Sequence, residues 1–222
     1  GTRNDLGETG FEEQRALEAA LLPDVERPFD VEGFCAVCAA PRRFLVNFLY
    51  AYERTGAGRL LPNWREHLVC QCGFGNRVRG AIHYLLGEVK PSPDARLFIT
   101  EQTTPLYAWV RSQYPQTVGS EYLGPDVAPG SQVRGYRHED LEDLSFPDHS
   151  FDLVLSFDVL EHVADAELAF RECLRCLKPG GVLLFTAPFT VNLEEHTVRA
   201  ARRADGSIAH LAEPEYDGKP VD

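Results

Sequence analysis

Apolar residues recur along this chain with changing periods, and the changes divide it. Over residues 10–22, "GFEEQRALEAALL", apolar side chains return at helical spacing until Pro23 ends the run. That pattern predicts a short amphipathic helix that packs on the domain or on a partner. "PDVERPFDVEG" follows as a Pro-rich connector. Between "FCAVC" and "LVCQCG" the stretch "PRRFLVNFLYAYERTGAGRLLPNWREH" reads as extended strands and turns, and "NRVRGAIHYLLGEV" after them as a helix. "KPSPD" (90–94) has two prolines and no apolar residue, and reads as a linker.

From residue 95 onward strand and helix patterns alternate. "ARLFIT" predicts a strand, "LYAWVRSQY" a helix, "TVGSEYL" a strand and "YRHEDLEDL" a short strand and loop. "FDLVLSF" is a strand apolar on both faces, "DAELAFRECLRCL" a helix and "GGVLLFTAPF" a further strand. Strands separated by helices of about ten residues imply parallel pairing through right-handed crossovers. The expected fold class is therefore α/β, a doubly wound, mostly parallel sheet preceded by a small cysteine-bearing module. The expected domains are a helix and connector over 1–32, the cysteine module over 33–89 and the α/β domain over 95–222. No internal repeat is visible.

Composition narrows the function classes. A 222-residue chain, 44% hydrophobic, buries one large core and at most a small satellite. A net charge of -12 disfavours nucleic acid as a partner, because phosphate binding needs clustered Lys and Arg. Arg77 and Arg79, and Arg199, Arg202 and Arg203, are the two local basic groups, and both read as solvated helix faces. No apolar run approaches the ~20 residues of a membrane span, and no signal-peptide pattern opens the chain. The chain has no Met, so position 1 does not read as the native start.

Six cysteines are too few for a disulfide scaffold of this length, and their clustering points to metal in a reducing compartment, expected to be the cytoplasm. Cys35 and Cys38, a gap of 31 residues, then Cys70 and Cys72 have the form of a structural zinc site, since four thiolates close a tetrahedron around Zn²⁺ and leave no open position for water. The Cys-x-Cys spacing of the second pair is tighter than usual, which leaves His67, or no residue, as the alternative fourth ligand. Cys173 and Cys176 differ: they lie on the apolar stripe Ala166, Ala169, Phe170, Cys173, Leu174 and Leu177, and read as core.

The run "HEDLEDLSFPDHSFDLVLSFDVLEHVADAELAFRECLRCLKPGGVLLFTAPF" (138–189) resembles the class I S-adenosylmethionine-dependent methyltransferases, chiefly their small-molecule branch. "EDLEDLSFP" is similar to the family's acidic loop after the third strand, "SFDLVLSFDVLEHV" to the fourth strand and its exit, "ECLRCLKPGG" to the next helix and turn, and "VLLFTAPF" to the fifth strand. The resemblance implies a Rossmann-like fold with a zinc-ribbon-like module before it. Extended upstream, it puts "LFITEQTTPLYAWV" on the first strand, cofactor loop and first helix, and "TVGSEYLG" on the second strand.

By that resemblance Glu121 binds both ribose hydroxyls of S-adenosylmethionine, Asp140 the adenine amino group, with the Leu141 amide beside it, and Phe157 lines the pocket. Glu121 lies 20 residues after Glu101, near the spacing at which dinucleotide folds place their ribose carboxylate. Thr100, Gln102 and Thr104 fall on the family's three glycine positions. Glycine lets the backbone turn sharply and approach a ligand without a Cβ. The Thr and Gln side chains, with Glu101 facing the cofactor ammonium, can rebuild the site; equally, they can fill it.

In the family fold the carboxyl ends of strands four and five face the acceptor. Here that rim carries Asp158, Glu161 and His162, then Thr190, Asn192, Glu194, Glu195 and His196. His196, or else His162, is the candidate base, since an unperturbed His titrates near neutrality, with Asp158 beside them. His210 and Tyr216 fall in a segment read as a loop over the site. The family's closing strands do not appear after residue 189, which leaves an open sheet edge that a missing C-terminal part, a second copy or a partner is expected to cover. The reading is a zinc-containing methyltransferase acting on a small-molecule or sugar-containing acceptor. The alternatives are a catalytically silent scaffold, or S-adenosylmethionine bound for chemistry other than methylation.

Overall fold

The computed structural model describes residues 8–51, 53–187, 200–203 and 208–212. The chain divides into two compact units, Gly1–Lys90 and Pro91–Asp222.

The first unit opens with helix α1 (Glu8–Ala20), followed by strands β1 (Phe29–Cys35), β2 (Ala40–Val46) and β3 (Leu68–Cys70) in an antiparallel sheet of order β1-β2-β3. Val46, Leu22 and Trp64 are buried together, and Phe29 meets the Trp64 ring edge-on at 6.0 Å. Helix α2 (Asn76–Tyr84) continues through a π-helical turn, Leu85–Val89, and stops at Lys90, whose φ is +48°. Arg79 on α2 corrects the expectation of a solvated basic face. It is 7% exposed, lies 4.2 Å above the Phe44 ring and donates to the Leu68 carbonyl at 2.8 Å. A guanidinium can stack its flat face on an aromatic ring while donating a hydrogen bond in its plane to a carbonyl, which lets it enter a core. Arg77 is partly buried and bonded to Glu66 at 2.8 Å.

The second unit contains β4 (Leu97–Ile99), α3 (Pro105–Gln113), β5 (Val118–Gly119), β6 (Gln132–Val133), β7 (Tyr136–Arg137), β8 (Phe151–Phe157), α4 (Ala166–Cys176) and β9 (Leu177–Thr186). Four of these form a wholly parallel sheet of order β5-β4-β8-β9, as the alternating pattern predicted. All three residues of β4 and most of β8 are buried, which explains why these strands read as continuous apolar runs rather than alternations. Phe98, Phe146 and Phe151 pack ring against ring at 4.8–5.5 Å between centroids, and Cys173 and Cys176 are fully buried in the same cluster. Burial pushes the Cys173 thiol up to about 12, which suits an inert core residue.

Beyond β5 the chain makes a single parallel bridge, Glu121 with His138, instead of a full strand. Between the two, β6 and β7 form a hairpin whose turn carries positive φ at Arg134 (+51°) and Gly135 (+89°). A last hairpin pairs β10 (Ala200–Arg202) with β11 (Ile208–His210). It corrects two readings: the segment around His210 is not simply a loop, and Arg202 lies on a strand rather than a helix face. The runs are only three residues each, and the hairpin signal Asp205-Gly206 between them is easily taken for loop punctuation. No helix among the described residues is long and apolar enough to cross a membrane.

Candidate functional site

The loop between β4 and α3 is where the sequence departs most from expectation, and each of its polar side chains at a glycine position has a partner within the protein. Thr100 still belongs to the sheet: its amide donates to the Leu155 carbonyl at 3.1 Å, and its hydroxyl to Ser156 Oγ at 3.3 Å between two buried residues. Thr104 caps α3, accepting the Tyr107 amide at 3.1 Å, with Pro105 in the first turn where its missing N–H is harmless. Gln102 reaches the β6–β7 hairpin, accepting the Arg137 amide at 3.0 Å and donating to the Gly135 carbonyl at 3.4 Å.

Glu121, just beyond β5, holds the loop from the other side. Its Oε1 accepts the backbone amides of Gln102 at 2.7 Å and Thr103 at 2.8 Å. Charge-assisted bonds of this kind are stronger than neutral ones and define a loop that no glycine constrains. Both donors share Oε1, and the described residues put none on Oε2. The close approach of loop and strand depends on Gly119: a Cβ there would meet Tyr107 Cε2 at 2.5 Å and the Glu101 carbonyl at 2.7 Å.

Asp140 lies two residues beyond His138, the bridge partner of Glu121. Its Oδ1 accepts the Glu142 amide at 2.9 Å in a tight turn, and Leu141 beside it is 6% exposed. His138 is buried; its Nδ1 accepts the Leu123 amide at 2.9 Å, and Tyr122 packs across the ring at 5.4 Å. The ends of β5 and of the residue-138 segment are therefore firmly joined, with one carboxylate at each.

At the ends of β8 and β9 Asp158 and Thr186 bond to each other. The Asp158 amide donates to the Thr186 carbonyl at 3.0 Å, and the Thr186 hydroxyl donates to Asp158 Oδ1 at 2.8 Å. Phe157 beside them is half-buried, whereas His162 is exposed on the single 3₁₀ turn Leu160–His162. His196, Thr190, Asn192, Glu194, Glu195 and Tyr216 lie outside the described residues.

Sequence reasoning missed Ser156 and Thr186, which hold Thr100 and Asp158, and the buried carboxylates Glu139 and Glu142. Glu139 is bound by Arg137 at 2.7 Å and by Ser145, and Glu142 accepts the Ala164 amide at 2.7 Å and the Asp165 amide at 3.1 Å ahead of α4. In "RHEDLEDL" the acidic residues look alike; the positions that bury two of them are set by partners up to 23 residues away.

In the first unit the Sγ atoms of Cys35, Cys38, Cys70 and Cys72 all lie within 4.8 Å of one another, with Cys35–Cys72 at 3.9 Å and Cys38–Cys70 at 3.8 Å. The first pair comes from the end of β1 and its turn, the second from the end of β3 and its turn. His67 stacks on Tyr50 instead, at 5.9 Å. The thiols are pulled in opposite directions: against burial, hydrogen bonds from the Cys38 amide and the Cys70 thiol lower Cys35 to about 7. Cys72 is pushed up to about 12 by burial, and by the Cys70 and Cys35 sulfurs against a hydrogen bond from the Phe74 amide. A cation among them removes that conflict.

Residues 111–185 match the family model described as a methyltransferase domain. A probable S-adenosylmethionine-dependent methyltransferase of Mycolicibacterium smegmatis is 46% identical over 79 residues, 33% of this chain and 30% of that protein. Ubiquinone biosynthesis O-methyltransferases of Mesorhizobium japonicum and Sinorhizobium fredii are 29% and 30% identical, over 44% and 47% of this chain and 47% and 50% of theirs. The chain thus spans half or less of the length of these relatives. A solved S-adenosylmethionine-dependent methyltransferase from Mesorhizobium loti is 21% identical, covering 61% of this chain and 66% of that one, with a TM-score of 0.34, too low a likeness to add to the fold.

Proposed function

We propose, from the methyltransferase-domain match over residues 111–185, that the protein transfers a methyl group from S-adenosylmethionine to a small-molecule acceptor. The observation that carries this reading is the pair of carboxylates at adjoining strand ends, each with one oxygen engaged in holding backbone and, among the described residues, one not. Glu121 uses Oε1 for the loop and Asp140 uses Oδ1 for its own turn. The remaining oxygens suit a ligand that presents ribose hydroxyls at one point and an exocyclic amine at the next. These residues fit the cofactor without glycines, because the loop shape comes from Glu121 and Gln102 rather than from backbone freedom.

When bound, S-adenosylmethionine supplies a sulfonium-activated methyl for in-line displacement. The chain's part is alignment, and removal of the acceptor's proton where the acceptor is a hydroxyl. Asp158 belongs to that rim: its carboxylate accepts from Thr186 and so is held in one orientation. His162, exposed on the turn four residues further on, and His196 are the candidate bases. The relatives' names favour an oxygen acceptor over a nitrogen or sugar carbon, so hydroxyl-bearing small molecules are the first class to assay.

The four-cysteine cluster supports structural zinc. Two thiolates on a tetrahedral zinc at about 2.3 Å stand about 3.8 Å apart, close to the 3.8 and 3.9 Å separations here. A second reading, a catalytically silent scaffold, draws on the same loop, whose polar groups already have partners within the protein. Incubating the zinc-loaded chain with S-adenosylmethionine and a panel of hydroxyl-bearing acceptors, with mass detection, separates the two. A product heavier by one methylene supports the enzyme, and failure of the folded chain to bind S-adenosylmethionine supports the scaffold.

A further inference from the structure

Gln102 stands at a glycine position, and its side chain makes a connection that glycine cannot. The Gly135 carbonyl and the Arg137 amide flank Tyr136 on one edge of β7, and are the pair of groups a neighbouring strand would engage. The Gln102 amide engages both, accepting from Arg137 N–H at 3.0 Å and donating to Gly135 at 3.4 Å. A primary amide has the same donor and acceptor as a peptide unit, so Gln102 docks on the hairpin as one peptide of an added strand would. Its own backbone amide is meanwhile held by Glu121 at 2.7 Å. One residue therefore ties the loop to the end of β5 and to the tip of the hairpin.

The hairpin is anchored at its base. His138 N–H donates to the Ser131 carbonyl and Gly130 N–H to the His138 carbonyl, both at 2.8 Å. The Arg137 guanidinium bonds Glu139 at 2.7 Å and Ser145 at 2.8 Å, and lies 4.5 Å from the Phe146 ring centroid. With the base fixed on the core and the tip turned tightly at Arg134 and Gly135, the hairpin is a stiff arm, and Gln102 joins its tip to the loop.

We infer that Gln102 is a positioning residue for S-adenosylmethionine: it latches the loop to the β6–β7 hairpin and holds it in the conformation that presents Glu121 to the ligand. The inference rests on the methyltransferase reading of this site. It makes the hairpin part of the cofactor site without requiring that it touch the cofactor, and it gives the missing glycines a physical replacement.

The test is calorimetric titration of the zinc-loaded full chain with S-adenosylmethionine, on wild type and Gln102→Ala, with amide hydrogen exchange at Arg137 with and without cofactor. Gln102→Ala is expected to bind about tenfold more weakly, the scale of one to two lost hydrogen bonds. The Arg137 amide, slowed by cofactor in wild type, is expected to lose that added protection in the variant. Should Gln102→Ala fold poorly, Gln102→Glu keeps an acceptor for Arg137 and loses the donor to Gly135, with an affinity expected between the two. Faster Arg137 exchange in the variant with unchanged affinity and unchanged cofactor-dependent protection makes Gln102 merely structural and overturns the inference. Absence of binding by folded wild type overturns the methyltransferase reading itself.

Discussion

Asp158 and Thr186 bond to each other across the ends of β8 and β9, and Asp158 does so with φ at +52°. A non-glycine residue in that region is strained by about 1–2 kcal/mol and persists where its surroundings hold it there. The Thr186 hydroxyl and carbonyl supply that hold. Asp158→Ala keeps the strain and loses the carboxylate bond, so it should destabilise the second unit by about 2 kcal/mol. Asp158→Gly loses the same bond and relieves the strain, and should lie closer to wild type. Urea unfolding of the three proteins checks the order; a Gly variant less stable than the Ala variant would contradict it.

Gly119→Ala should be far more damaging than an ordinary strand substitution. The new methyl would sit 2.5 Å from the Tyr107 ring and 2.7 Å from the Glu101 carbonyl, one on α3 and the other on the loop. Shifting both elements costs about 1–3 kcal/mol. Adding Tyr107→Ala should recover little, because the Glu101 carbonyl still blocks the site. Thermal unfolding of the single and double variants measures this.

Acid stability should depend on Glu172. Hydrogen bonds from Arg175 (2.6 Å to Oε2) hold its carboxyl below the usual range, against burial, helped by the Leu144 amide. A group whose folded pKa is depressed contributes stability above its unfolded pKa and loses it as pH falls through the folded one. Glu172→Gln should therefore be less stable at neutral pH, by no more than about 1 kcal/mol because the pair is partly screened by solvent. The two proteins should converge below the carboxylate range. Unfolding midpoints as a function of pH between neutrality and strong acid decide it, and parallel curves throughout would contradict the assignment.

Removing metal should unfold the first unit and leave the second. The four-sulfur cluster joins the turns of β1 and β3, and its burial is otherwise supported by a small group of apolar residues around Phe44. Elemental analysis should find one zinc per chain. Cys70→Ser or chelation should lose it, with hydrogen-exchange protection collapsing over 29–70 and persisting over 97–186. Full protection of the first unit in metal-free protein would show that the cluster is ordinary core.

The parallel sheet was legible because its central strands β4 and β8 are buried on both faces and because α3 and α4 follow β4 and β8 with clear helical patterns. The cysteine spacing showed the cluster, though not which residue completes it. What stayed hidden were relationships set by tertiary contact. Arg79 looks like its exposed neighbours in "NRVRG", and only the Phe44 ring beneath it makes burial favourable. Gln102 at a glycine position signals a departure from the family, but its partners are 33 and 35 residues away on a hairpin too short for periodicity to detect. The Glu121 carboxylate was legible as a candidate site residue through the family resemblance, and its bonds to the loop amides were not.

On this reading a glycine-less loop, shaped by Glu121, still makes a place for S-adenosylmethionine. Calorimetric titration of the zinc-loaded chain and of Glu121→Ala tests it most directly. Wild type should bind with micromolar affinity and the variant at least tenfold more weakly, having lost two charge-assisted bonds to the loop as well as the proposed ribose acceptor. No heat of binding from a folded, zinc-loaded wild-type chain, or equal affinity in the variant, would contradict it.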